Sequence, residues 1–259
     1  MGPIFMRTIL MTLLLLLVAP APLAQAQPAD SLMRQGRQML DRGVTAGDVD
    51  AMQNARAQFK RVATASEDAA WAHYYVGLAN YRLATQLLER DEDRAEALLD
   101  DGIDHLNTAI EAQPKSAEAH ALLSTMYGLK ARGGMASGMR YGPKADDAIA
   151  QAQQLAPDNP RVLLLNAVSL LNKPSRWGGD REGAIEALNR AIQQFEAAAP
   201  SNNSLHPQWG HADAYAWLGI AHMKGDDPAQ ARKAFEQALA VRPGYTWVES
   251  VLLPQLSAE

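Results

Sequence analysis

Histidines at positions 73, 105, 120, 206, 211 and 222 are the side chains of this 259-residue sequence best suited to proton transfer or metal ligation, and no cysteine accompanies them. His206 and His211 flank Pro207 in a stretch that cannot present both from one helical face, and no H-E-x-x-H pattern occurs. His73, His120 and His222 fall at matching positions of three similar segments, so packing accounts for them better than ligation. The carboxylate pairs Asp100-Asp101 and Asp146-Asp147 lie at helix starts or on polar faces, where the helix dipole already favours acids. Neither a G-x-S-x-G elbow nor a phosphate-cradling loop is present. Without cysteine, thiolate metal sites, cysteine nucleophiles and disulfides are excluded, and stability must come from packing. The sequence therefore predicts a non-catalytic protein with no catalytic, cofactor-binding or metal-binding residues.

Binding chemistry is better represented. Two glycine-rich segments, 131–142 and 172–180, hold Arg132, Arg140, Tyr141, Arg176 and Trp177, with Lys144 and Lys173 beside them. Guanidinium groups next to aromatic rings can grip a carboxylate-bearing ligand or a partner segment. The same residues also suit long connecting loops, in which glycines meet backbone demands and charges are solvated. Net charge is −5 over the whole sequence, which favours solubility and argues against nucleic acid as a partner.

The elements that must position these groups are helices. Hydrophobic residues make up 47% and aromatics only 6% of the sequence, without long β-branched runs, so an all-α fold is expected. Periodicity is clearest over Ala212–Tyr245. Tyr215, Leu218, Gly219 and His222 share one helical face; Ala231, Phe235 and Ala238 share another. Between them Asp227 is placed to cap a helix that starts with Pro228, and Pro243-Gly244 stops it. Gly219, Ala231 and Ala238 let the two helices approach while Phe235 fills the space between. Leucine at position 219 or 231 should cost about 1–3 kcal/mol through overpacking.

This stretch resembles the tetratricopeptide repeat, a unit of about 34 residues patterned W-x2-L-G-x2-Y, A-x3-F, P. Tyr215 stands at the Trp position and His222 at the Tyr position. The resemblance implies a right-handed α-solenoid, and weaker copies of the pattern extend it to about five helix pairs over residues 27–259, closed by a C-terminal capping helix. The first copy covers residues 29–64, with residues 41–48 as its loop. In the second, Gly77 and Gly102 stand about twice as far apart as Gly219 and Ala231 do, so both helices should run on by about two turns each. The third opens at Ser116, a suitable N-cap, and its glycine-rich insertion is not expected to be helical. The fourth opens at Asn159-Pro160, and Asp180 should cap its second helix. Residues 200–210 read as a polar, turn-rich connection. Val248, Val251 and Leu252 form the apolar stripe of the capping helix.

In the tetratricopeptide family the first helices of the pairs line a concave groove that takes peptides or helices. Carried over, that groove would present Trp71, Tyr74, Leu78, Tyr81, Ala121, Thr125, Leu164, Val168 and Ile220. The Lys and Asn ladder of the repeats that bind chaperone C-termini is not seen.

The first residues differ from all that follows. Arg7, the apolar run Ile9–Ala19 and Ala24-Gln25-Ala26 together resemble a cleavable secretory leader, cut after Ala26. The apolar run is short for a bilayer span, and without the leader no stable membrane span is expected. The reading is a periplasmic or secreted scaffold or adaptor, with another envelope protein or peptide as its partner. The alternative is a small-ligand receptor, or an accessory subunit of a periplasmic solute transporter, that uses the basic glycine-rich loops.

Overall fold

The computed structural model describes residues 29–65, 69–198 and 205–256; the expected leader falls outside the described residues. Short polar turns between amphipathic runs fold the chain into consecutive helix pairs. Helix α1 (Ala29–Ala46) packs on α2 (Val49–Ala65), α3 (Ala70–Leu87) on α4 (Glu92–Ala112), and α5 (Ala117–Ala131) on α6 (Met135–Leu155). Next come α7 (Pro160–Asn172) with α8 (Arg181–Ala197), and α9 (His211–Met223) with α10 (Pro228–Val241). A π-helical turn, Val248–Leu252, leads into the short α11 (Leu253–Gln255). Among the described residues there is no strand, and the architecture is a helical solenoid of five pairs.

Helix starts follow the side chains that can accept from free backbone N–H groups. Asp180 accepts from Gly183 at 3.0 Å, Asp227 from Gln230 at 3.0 Å, and Asn159 from Arg161 at 2.9 Å. Ser116 holds the expected N-cap position of α5, but its side chain makes no capping bond. Within the last pair the two backbones approach as the small residues demand. A Cβ on Gly219 would lie 2.3 Å from the ring of Phe235, which is fully buried. Gly36 against Phe59 and Gly77 against Leu106 repeat this close approach in the first two pairs. The long second pair is also present, with α3 and α4 at 18 and 21 residues against 13 and 14 for α9 and α10.

Three local expectations are corrected. Helix α1 continues to Ala46, so the loop expected over 41–48 shrinks to a tight turn at Gly47; Gly43 is helical and buried where α2 crosses it at Met52. The glycine-rich insertion is mostly helical, because α6 begins at Met135. Each glycine in a helix interior costs about 1 kcal/mol. Here packing outweighs that cost: Tyr141 stacks on Tyr127 of α5 with centroids 6.1 Å apart, and Gly134, at φ 115°, reverses the chain before the helix starts. At the C-terminus, the π-helical turn takes Val251 out of the apolar stripe. Val248 and Leu252 are buried against the last pair, while Val251 is 45% exposed.

The pairs wind until the last reaches the first. Arg242, just after α10, donates to Asp41 of α1 at 3.0 Å, and Val44 of α1 packs into the C-terminal apolar cluster. Inside the curve, Arg82 of α3 holds Asp213 of α9 with two bonds of 2.7 and 3.0 Å, and the Tyr245 hydroxyl donates to the same carboxylate at 2.9 Å. This buried contact joins the second and fifth pairs directly.

Candidate binding surfaces

The first helices do line the inner side, but its residues are not open to a partner. Tyr74, Leu78, Tyr81, Ala121, Leu164 and Val168 are buried, as is Thr125, whose hydroxyl donates to the Ala121 carbonyl at 3.1 Å. Trp71 and Ile220 are half-buried, and Ile220 packs into the C-terminal cluster. At the aromatic end the groove is covered by the connection between α8 and α9, whose last residues, 205–210, lie along it as a strap. Trp209 donates its indole N–H to the Tyr74 hydroxyl at 2.9 Å, the Tyr75 hydroxyl donates to the Leu205 carbonyl at 3.2 Å, and Arg161 donates to the Pro207 carbonyl. His206 lies against Trp71 with ring centroids 5.4 Å apart. The aromatic end of the groove thus has an occupant from its own chain. Sequence reasoning missed this strap; a Trp in a polar, turn-rich stretch was the one sign that the stretch must bury something.

Beyond the strap, the inner side keeps a cavity of about 480 Å³ between α1, α3, the strap and the end of α10. Four of its lining residues are arginines, Arg34, Arg37, Arg82 and Arg242, and one is a carboxylate, Asp41. Leu40, Val44, Leu78 and Trp209 give it an apolar side. The arginines differ in what they already hold. Arg82 is paired with Asp213. Burial pushes Asp213 up, but the charge and hydrogen bonds of Arg82 outweigh it and hold the carboxylate at about 2. Arg37 lies over the Tyr75 ring at 5.5 Å. The Nη1 of Arg242 is buried without a hydrogen-bond partner, and Arg34 is exposed at the mouth.

At the edge where the helix pairs turn, the glycine-rich segments are presented differently. Arg132, Arg140, Lys144 and Arg176 are exposed. Tyr141 is half-buried and carries cations on its ring, with Lys130 at 5.2 Å and Arg140 at 5.1 Å. Trp177 is 67% exposed, and Met135 and Met139, one helical turn apart on α6, are 86% and 73% exposed. Lys173 pairs with Asp146 and so ties the end of α7 to α6. These methionines were not singled out from the sequence, because a Gly-Met-Ala-Ser-Gly-Met stretch does not announce a helix.

The histidines take separate local roles. His73 and His105 face each other across α3 and α4 with their Nδ1 atoms 2.8 Å apart, and burial lowers the pKa of both, so at least one ring of the pair must be neutral. The His120 ring lies 3.1 Å from the Pro114 carbonyl. Among the described residues no group of three or more His, Asp or Glu is placed to hold a metal ion. Nor is any described helix long and apolar enough to cross a membrane.

Comparison with known proteins agrees with this architecture. Residues 212–245 match the family model of the tetratricopeptide repeat. No curated protein sequence matches the chain. Among solved structures, the chain is similar to a thermophilic tetratricopeptide-repeat protein of Thermus thermophilus, with 16% identity over 89% of this chain and 98% of the other and a TM-score of 0.57. It is also similar to the HusA haemophore of Porphyromonas gingivalis, with 22% identity over 78% of this chain and 96% of the other and a TM-score of 0.54. At such identities the likeness is one of fold.

Proposed function

We propose, from a helical solenoid that carries a tetratricopeptide repeat and covers the aromatic end of its own groove, that this protein is a non-catalytic scaffold of the bacterial envelope that engages an acidic partner protein along its turn edge. Repeats of this type build protein-interaction scaffolds, and a scaffold needs an accessible surface. The observation that carries the reading is the exposure of Met135, Met139 and Trp177 beside Arg132, Arg140, Lys144 and Arg176. Trp, Met and Arg are the residue types enriched at interfaces, and neither 131–145 nor 172–179 contains an acid. An acidic, partly apolar surface complements such an edge. The envelope address comes from the leader-like first residues, and the partner belongs to the same compartment.

A photo-crosslinker at position 176, in the full-length protein expressed in its own cells, tests this. The expected result is one recurrent protein adduct whose purified form binds the scaffold in a salt-dependent way and loses at least tenfold in affinity with Arg140→Glu plus Arg176→Glu. Unchanged affinity in that double variant sinks the edge as the partner surface. Mass spectrometry of the exported protein, with Gln27 as its first residue, checks the leader; an intact N-terminus in the cytoplasm rejects the envelope address.

A further inference from the structure

We infer that the inner cavity is a binding site for a small amphipathic anion, an apolar body ending in a carboxylate or phosphate head. This site is independent of the turn edge and of any partner bound there.

Three features of the cavity define its ligand. The first is charge. On a protein with a net charge of −5, the lining brings together four arginines and a single carboxylate. Asp41 already accepts from Arg242, and Asp213, behind the lining, already holds Arg82. Arg34, which is exposed, and Arg37, which lies over the Tyr75 ring, are what remain to receive an anion, with Arg242 adding enclosed positive charge behind them. Guanidinium forks match carboxylate and phosphate oxygens alike. The second feature is the apolar side formed by Leu40, Val44, Leu78 and Trp209. A fully hydrated inorganic anion would use none of it; an aliphatic or aromatic body would displace water from all of it. The third is size. About 480 Å³ falls within the range of small-molecule sites, roughly 300–1,000 Å³. The strap occupies the adjoining groove, so no continuous channel leads an extended peptide through.

The walls come from distant parts of the chain. Arg34 and Arg37 stand on α1, Leu78 on α3, Trp209 on the strap and Arg242 just after α10. The site therefore exists only when the solenoid has closed on itself, and a bound anion would lend its charge to that closure between α1 and the end of α10.

The test uses the exported chain, residues 27–259, and three probes with the same tail: decanoate, decyl phosphate and decyltrimethylammonium. Calorimetry should show saturable binding of one or both anions and none of the cation. Selectivity between the two anions identifies the head group. Arg34→Gln plus Arg37→Gln should weaken anion binding at least tenfold. Gln38→Trp, at an exposed lining position, should block the cavity without touching the core and serves if the double variant fails to fold. Equal binding of the cation, or unchanged anion affinity in both variants, overturns the site. Arg140→Glu plus Arg176→Glu should leave decanoate or decyl phosphate binding as it is, so failure of the edge reading and failure of this one are told apart.

Discussion

The inner side of the solenoid and the edge where its helix pairs turn are built from the same residue types, arginines beside aromatic rings, held in opposite states. Inside, Tyr74, Tyr75 and Tyr81 are buried, Trp209 is tucked against Tyr74, and Arg82 is committed to Asp213. At the edge, Trp177 and Arg176 stand in solvent. A ring and a guanidinium therefore do not by themselves mark a binding surface; what matters is whether the chain has already satisfied them. Among the described residues the strap and the contact between the second and fifth pairs satisfy much of the inner side and leave the cavity near α1. They do not satisfy the edge.

If this contrast holds, inner substitutions cost stability and edge substitutions cost binding. The largest effect is expected for Arg82→Ala, which leaves the Asp213 carboxylate, 2% exposed, with the Tyr245 hydroxyl but without the cation paired to it. Breaking such a pair costs about 3–5 kcal/mol, measurable by urea denaturation; a loss below about 1 kcal/mol would mean that the interior is open to water. Acid should weaken the same contact. Asp213 is held at about 2 in the folded protein, below the ordinary value of about 3.9 for a free aspartate. Its contribution is present above about pH 4 and is lost as pH falls toward 2, on the order of 2–3 kcal/mol from this group. Asp101 acts in the same direction. Burial opposes its ionisation, but hydrogen bonds from Lys60, Arg56 and Asn80 prevail and hold it well below the usual range. A urea midpoint that stays flat from about pH 5 to about pH 2 would contradict this account.

Gly219→Leu should cost about 1–3 kcal/mol by forcing Phe235 aside, read as a lower thermal midpoint with the helix content unchanged below it. The smallest effect is expected for Trp177→Ala. On an exposed turn it should change stability by less than about 0.5 kcal/mol while weakening partner binding. If it destabilises as strongly as Gly219→Leu, the edge is part of the fold and not a free surface.

Much of the fold could be read from periodicity and turn chemistry. Asp180 and Asp227 cap the helices that the sequence expects them to cap, Ser116 makes no capping bond, and the small residues at 219, 231 and 238 lie where two helices press together. These are local signals, decided within one helix pair. The glycine-rich insertion misled because its helix is supported by a stack between Tyr127 and Tyr141 across two helices, a contact that local propensity does not register. Candidate surfaces were less legible for a related reason. Which residues face the inner side follows from the repeat, but whether that side is empty depends on where a nonrepeating connection goes.

The sequence by itself determined the succession of helix pairs, the caps at Asp180 and Asp227, and the close packing at Gly219, since each depends on residues within about 34 positions of one another. Only the tertiary structure decided that the solenoid closes through Arg242 and Asp41, that residues 205–210 cover the aromatic end of the groove, and that arginines from α1, α3 and the end of α10 meet around one cavity. Those contacts join residues far apart along the chain, and their geometry is set by the accumulated winding of successive pairs, a quantity that no single repeat contains.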